Sequence, residues 1–118
     1  MEGFARVARI QEVTPGKLKG IKEKGKRVLL ANVEGNYYAI GDVCTHAGCL
    51  LSDGKLEGHT VICTCHGSQF DVGTGHVLHP PASKPEPVYD VKIEGEDISI
   101  RPATLHMFGS KVSPGSSK

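Results

Sequence analysis

The residue types able to do chemistry crowd into two short boxes. The first is Cys44-Thr45-His46-Ala47-Gly48-Cys49; thirteen residues later comes Cys63-Thr64-Cys65-His66-Gly67-Ser68. All four cysteines of the chain lie in these boxes, and each box carries a histidine. Cys-x-His followed by Cys-x-x-His offers two thiolates and two imidazoles to one metal centre. That donor set suits a [2Fe–2S] cluster in which two histidines replace two cysteines on one iron. Zinc also takes two cysteines and two histidines, but its usual knuckles are Cys-x2–4-Cys and His-x3–5-His. Two ordinary disulfides are a further alternative.

The expected ligands are Cys44 and Cys63 on one iron and His46 and His66 on the other. Cys44 and His46 are two apart, so in an extended loop both side chains point the same way. Cys63 and His66 are three apart, which suits a turn. Replacing two thiolates by neutral imidazoles removes negative charge from the centre, so an added electron is accepted more easily. Such centres lie at roughly −150 to +300 mV, against about −400 mV for plant-type ferredoxins. A ligand imidazole whose other nitrogen faces water can also lose a proton, which predicts coupling of reduction to protonation at higher pH.

Cys49 and Cys65 sit at matching places, one ending the first box and one inside the second. If the two loops converge on a cluster, these cysteines come together. A disulfide between them would clamp the loops and contribute about 3 kcal/mol on the chain-entropy model. A pair of buried thiols is the alternative.

The elements that must position these boxes read as short strands. Fifteen glycines and seven prolines in 118 residues favour many turns. Phe4 to Val13 reads as a strand in competition with a helical spacing, and Thr14-Pro15-Gly16 ends it. Lys17 to Lys22, Arg27 to Val33 and Tyr37 to Ile40 form a meander, turning at Lys24-Gly25 and at Glu34-Gly35-Asn36. Ser52-Asp53-Gly54 and Glu57-Gly58-His59 mark turns between the boxes, and Thr60 to Ile62 leads into Cys63. Gln69 to Val72 is a strand, Gly73-Thr74-Gly75 a turn, and His79-Pro80-Pro81-Ala82 a rigid loop. Val88 to Ile93 and Asp97 to Arg101 make a last hairpin. Residues 104–118 lack periodicity and are expected to be a flexible tail, with Leu105 to Phe108 the part that would pack.

Charge is nearly balanced at +1, which gives no global pull toward nucleic acid. Residues 1–28 nevertheless hold eight Lys/Arg against three acids. Lysines 17, 19, 22, 24 and 26 are expected to solvate a hairpin and block edge-to-edge pairing; docking an acidic partner is the alternative. No apolar run approaches the ~18 residues of a membrane span, and no signal peptide is visible. A cytoplasmic, monomeric protein with no membrane span is expected. His59, His76 and His106 read as surface residues and His79 as a loop residue.

CTHAGC and CTCHGS resemble the boxes of the Rieske iron–sulfur protein family, over roughly residues 3–102. They are similar to the disulfide-bearing type found in cytochrome bc complexes. Leu51-Ser52-Asp53-Gly54, Gln69-Phe70-Asp71, Gly73-Thr74-Gly75 and Pro80-Pro81-Ala82 resemble the small Rieske-type ferredoxins that feed oxygenases. The resemblance implies an all-β domain over residues 1–103, with stacked antiparallel sheets and a cluster-binding subdomain near 42–82. It implies Cys44, His46, Cys63 and His66 as cluster ligands, the histidines at an exposed tip, and Pro80 and Pro81 in a covering loop with Leu51 as apolar cover. Ser68 matches a hydroxyl that bonds a bridging sulfide in the high-potential proteins. Phe70 stands where those proteins have a tyrosine and cannot donate, which predicts an intermediate potential. Gly48 and Gly67 are expected either to let backbone N–H groups approach sulfur or to serve as plain turn glycines.

So short a chain shows no catalytic base or substrate pocket. The expectation is a one-electron carrier between a reductase or quinol-linked donor and an oxygenase or other acceptor. The alternatives are a detached domain of a membrane quinol-oxidising subunit and a zinc-binding structural module.

Overall fold

The computed structural model describes residues 3–45, 48–65 and 67–103. Among the described residues ten strands form two antiparallel sheets, and the only helical pieces are two single 3-10 turns. In the larger sheet β1 (Ala5–Arg9) pairs with β10 (Asp97–Pro102), which pairs with β9 (Val88–Glu94). Next come β4 (Asn36–Gly41), β3 (Lys26–Val33) and β2 (Leu18–Glu23) at the far edge. β1 and β2 lie close together, so the sheet curls toward a barrel. The smaller sheet has the order β5 (Lys55–Glu57), β6 (Thr60–Ile62), β7 (Gln69–Asp71) and β8 (Val77–His79). The expected all-β fold of antiparallel sheets is what the chain adopts.

β3 explains how the two parts join. Val28 and Leu30 point into the barrel, against Ala8, Val13, Ala39, Ile98 and Ile100. Leu29, Ala31 and Val33 point the other way, into a second core with Ile40, Leu51, Val61, Phe70 and Val72. A strand covered on both faces has no polar side to show, hence the unbroken apolar run Val28-Leu29-Leu30-Ala31. β4 splits likewise, with Tyr37 and Ala39 on the barrel side and Tyr38 and Ile40 on the other.

The predicted first strand is shorter than its apolar pattern. β1 ends at Arg9, and Ile10–Glu12 is a 3-10 turn. Both competing periodicities were therefore present, strand first and one helical turn after it. The carbonyls freed there are taken by side chains: Tyr37 Oη donates to Ile10 O and Val13 O, and Asn32 Nδ2 donates to Val13 O at 2.8 Å. β5 has no periodicity to reveal it and begins between the two predicted turns, taking in Glu57 of the second. It exists because Lys55 and Glu57 find ladder partners in Ile62 and Thr60. The expected tail at 104–118, including His106, lies outside the described residues.

Candidate metal centre

Each box is the tip of a hairpin, and the two tips have one backbone plan. In the first, Val43 and Leu50 bridge, Cys44 N–H donates to Cys49 O at 2.7 Å, and Gly48 N–H donates to Cys44 O at 2.9 Å. In the second, Ile62 pairs with Gln69, Cys63 N–H donates to Ser68 O at 2.8 Å, and Gly67 N–H donates to Cys63 O at 2.9 Å. Gly48 and Gly67 close the turns with φ of 78° and 82°, the left-handed region that glycine enters without steric cost. Their own N–H groups are thus committed to the turns. The first box is a turn like the second, not the extended loop its Cys-x-His spacing implied.

Matching the two backbones pairs Cys44 with Cys63, Gly48 with Gly67 and Cys49 with Ser68. Counting between these anchors, Cys65 falls opposite position 46. Cys49 and Cys65 are therefore not at equivalent places, contrary to the sequence reading, yet they are joined by a disulfide with Cα atoms 6.5 Å apart and a separation of 16 residues. The bond ties the base of the first tip to the apex of the second. Cys44 and Cys63 are buried and outside the disulfide. The sulfurs of Cys49, Cys63 and Cys65 lie within 4.8 Å of one another. That trio is no ligand set, because two of its members are spent in the disulfide; it places the clamp directly beside Cys63. His46 and His66, the other two expected ligands, lie outside the described residues.

The segment from His79 to Glu86 is fastened to both tips. Ala82 N–H donates to the buried Ser68 hydroxyl at 3.0 Å, and Thr45 Oγ1 donates to Lys84 O at 2.7 Å. Pro80 and Pro81, joined by a cis bond, are exposed, while Ala82 is buried. Ser68 accepts in this contact, so its own proton remains available to a further acceptor. Phe70 and Leu51 are fully buried in the same apolar cluster as Cys44 and Cys63. His59, His76 and His79 are exposed, as expected. Of these, His59 packs on Tyr38 and His79 Nδ1 lies 2.7 Å from Pro80 O.

Two acids escaped the sequence reading. Asp42, fully buried, receives Arg27 Nη2 at 3.0 Å, Ser52 Oγ at 2.8 Å and Ser52 N–H at 2.7 Å, and so fixes the turn after the first tip. Gly20 makes room for this knot, since a Cβ there would stand 2.6 Å from both Asp42 Oδ2 and Ser52 Oγ. Glu86 is buried at 5% exposure, and its carboxyl is pushed up to about 8 by burial and by the charge of Asp42. A hydrogen bond from the Thr45 backbone N–H opposes this. No sequence signal marks Glu86, because a glutamate between two prolines reads as exposed loop.

Two buried thiols at matched hairpin positions, sharing one apolar bed and with the disulfide beside Cys63, fit a dinuclear iron–sulfur centre. The chain belongs to the Rieske [2Fe-2S] domain family, which it matches over residues 3–99. It is 40% identical over 91 residues to the ferredoxin component of the naphthalene 1,2-dioxygenase system of Pseudomonas aeruginosa, covering 77% of this chain and 88% of that one. The ferredoxin of carbazole 1,9a-dioxygenase from Nocardioides aromaticivorans IC177 has the same fold, with a TM-score of 0.81 at 29% identity over 86% of this chain and 99% of that one. A solved complex of reduced oxygenase and oxidized ferredoxin in carbazole 1,9a-dioxygenase also matches, with a TM-score of 0.79 and 27% identity over 83% of this chain and 92% of that one. The cofactor is a Rieske-type [2Fe–2S] cluster, and the protein is an electron carrier, not an enzyme.

Proposed function

We propose that this chain is the ferredoxin component of a multicomponent oxygenase system, with Cys44, His46, Cys63 and His66 as cluster ligands. The pair of matched hairpin tips carries this reading, since it brings Cys44 and Cys63, one from each box, into one buried apolar cluster. Bound there, the cluster supplies a reversible one-electron site. Cys44 and Cys63 would hold it from the buried side, where Leu51, Val61 and Phe70 exclude water. His46 and His66 would face the partner, and the loop carrying Pro80 and Pro81 would shield the flank. The donor is a reductase and the acceptor an oxygenase; the matching ferredoxin of carbazole 1,9a-dioxygenase is seen in complex with its oxygenase. The working unit is residues 1–103, with the cluster-binding part at about 42–82, acting as a monomer in the cytoplasm. No helix of the described residues is long and apolar enough to cross a membrane.

Iron and sulfide analysis with EPR of the purified protein tests the ligand set. Wild type is expected to carry the cluster, and Cys44→Ser and Cys63→Ser each to lose it wholly. Retention of the signal in either variant refutes the assignment, and a colourless protein with one zinc replaces it. A negative potential, flat through neutral pH, is expected for an oxygenase-feeding carrier. A positive one that falls at alkaline pH would move the protein to the quinol-linked class.

A further inference from the structure

Asp42 stands where the barrel ends and the first metal tip begins, between Gly41 of β4 and Val43. Its backbone faces both parts. Its N–H donates to Arg27 O at 3.2 Å, and its carbonyl accepts Leu51 N–H at 2.6 Å, one rung before the Val43–Leu50 bridge that leads into the tip. The side chain repeats the tie. One carboxylate oxygen accepts Ser52 N–H at 2.7 Å; the other accepts Ser52 Oγ at 2.8 Å and Arg27 Nη2 at 3.0 Å. Ser52 lies in the 3-10 turn Leu51–Asp53 that returns from the tip, and Arg27 lies on β3 of the barrel. The three polar ends converge under Gly20 of β2. A Cβ there would stand 2.6 Å from Asp42 Oδ2, 2.6 Å from Ser52 Oγ and 2.7 Å from Arg27 Nη2.

The second tip is held in another way, by the disulfide to Cys49 and by the Ser68 hydroxyl under Ala82 N–H. The first is fastened with a charge. A fully buried carboxylate beside a centre that accepts an electron opposes reduction, because like charges repel strongly where water is excluded. Arg27 answers that charge. Its guanidinium is partly exposed, yet its Nε is buried with no hydrogen-bond partner, so the contact from Nη2 to Asp42 is what places it. Paired at 3.0 Å, the two charges largely cancel at the tip. Glu86, the other acid near Asp42, is seated apart in the room left by Gly41, whose Cβ would stand 2.6 Å from Glu86 Oε1.

We propose that Asp42 is a positioning residue for electron transfer: it hangs the first ligand tip from the barrel, and Arg27 cancels its charge so that the tie does not oppose the incoming electron. The proposal deepens the function proposed above and rests on Cys44 as a cluster ligand. The electron comes from the reductase, and no bond to Asp42 or Arg27 forms or breaks when it arrives.

The test compares holo wild type with Asp42→Asn, Arg27→Met and the double variant in two readouts, the reduction potential and the rate at which a chelator strips the cluster. Potentials are read at about pH 6, where Glu86, pushed up to about 8 chiefly by burial, keeps its proton in every variant. Asp42→Asn is expected to raise the potential, Arg27→Met to lower it, and the double variant to return close to wild type. Arg27→Lys, which keeps the charge, is expected to restore the wild-type potential. Both single variants are expected to lose the cluster about 10–100-fold faster, the usual consequence of removing a group that orients a metal ligand. Gly20→Ala wedges the three side chains apart with every charge retained, and is expected to speed cluster loss while moving the potential less than either charge change. Glu96→Gln breaks the exposed Arg9–Glu96 pair of the barrel and is expected to leave both readouts unmoved. Shifts of the same sign, unmoved potentials, cluster loss no faster than wild type, or a Glu96→Gln effect as large as that of Asp42→Asn each overturn the proposal. Should Asp42→Asn fail to fold, Arg27→Met and Gly20→Ala decide it by the same criteria. A wild type that binds no cluster overturns the ligand reading itself, whereas a cluster-bearing wild type whose variants miss these shifts overturns this inference alone.

Discussion

The tips at 44–49 and 63–68 close with the same two backbone hydrogen bonds and the same left-handed glycine. They place different side chains on that frame. The cysteines that open them are equivalent, but the histidine is the third residue of the first box and the fourth of the second. The disulfide likewise joins a closing position, Cys49, to an apical one, Cys65. Equivalent backbones with offset side chains separate two jobs. The frame sets where Cys44 and Cys63 sit, and the offset decides what else each loop contributes: a clamp anchor in one, a buried hydroxyl in the other.

The strongest way to break this pairing is to cut the clamp. Cys49→Ser or Cys65→Ser should each cost about 3 kcal/mol, the chain-entropy value for a loop of this length, in denaturant unfolding of the oxidised holoprotein. A loss below ~1 kcal/mol would mean that the hairpins and the segment from His79 to Glu86 hold the tips together unaided. Smaller, and confined to one tip, is the effect of the hydroxyls. Ser68→Ala strands the buried Ala82 N–H and should cost about 1–3 kcal/mol, while removing a donor that would stabilise the reduced centre, so the potential should fall. Thr45→Ala loses an exposed bond to Lys84 O, worth about 1 kcal/mol at most, with little change in potential. Phe70→Tyr should raise the potential; no change would show that the fully buried ring does not address cluster sulfur. The smallest effect sharpens the likeness of the two frames. Gly48→Ala and Gly67→Ala meet no atom within 4 Å of the new Cβ, so each should cost only the backbone penalty of ~1 kcal/mol. Unequal midpoints in thermal unfolding would reveal a demand on one glycine that the turn alone does not make.

Much of this site was legible from local pattern. Donor types and spacing announced the centre, the two cysteines left over announced the clamp, and the apolar run within Arg27 to Val33 announced a strand, though not that both its faces are buried. What stayed hidden depends on tertiary placement. The equivalence of Cys49 with Ser68 appears only when the closing hydrogen bonds are seen, since the residues themselves are unlike. β5 is three residues long and is made a strand by its partner. Glu86 and Asp42 are polar residues beside turns, and such residues are ordinarily exposed. Only the space left by Gly41 and Gly20, on strands distant in sequence, brings them inside.

The two-faced burial of β3 has a consequence for how this sequence can vary. A strand with one wet face offers every second position to drift, and a loop offers nearly all of them. From Val28 to Val33 the strand offers none, because each side chain from Val28 to Ala31 fills either the barrel or the bed under the metal loops, and Asn32 is spent holding Val13 O. Any substitution there is answered in one compartment or the other. An engineer wishing to retune the redox site without disturbing the barrel therefore has to choose the odd positions Leu29, Ala31 and Val33, and leave Val28 and Leu30 untouched.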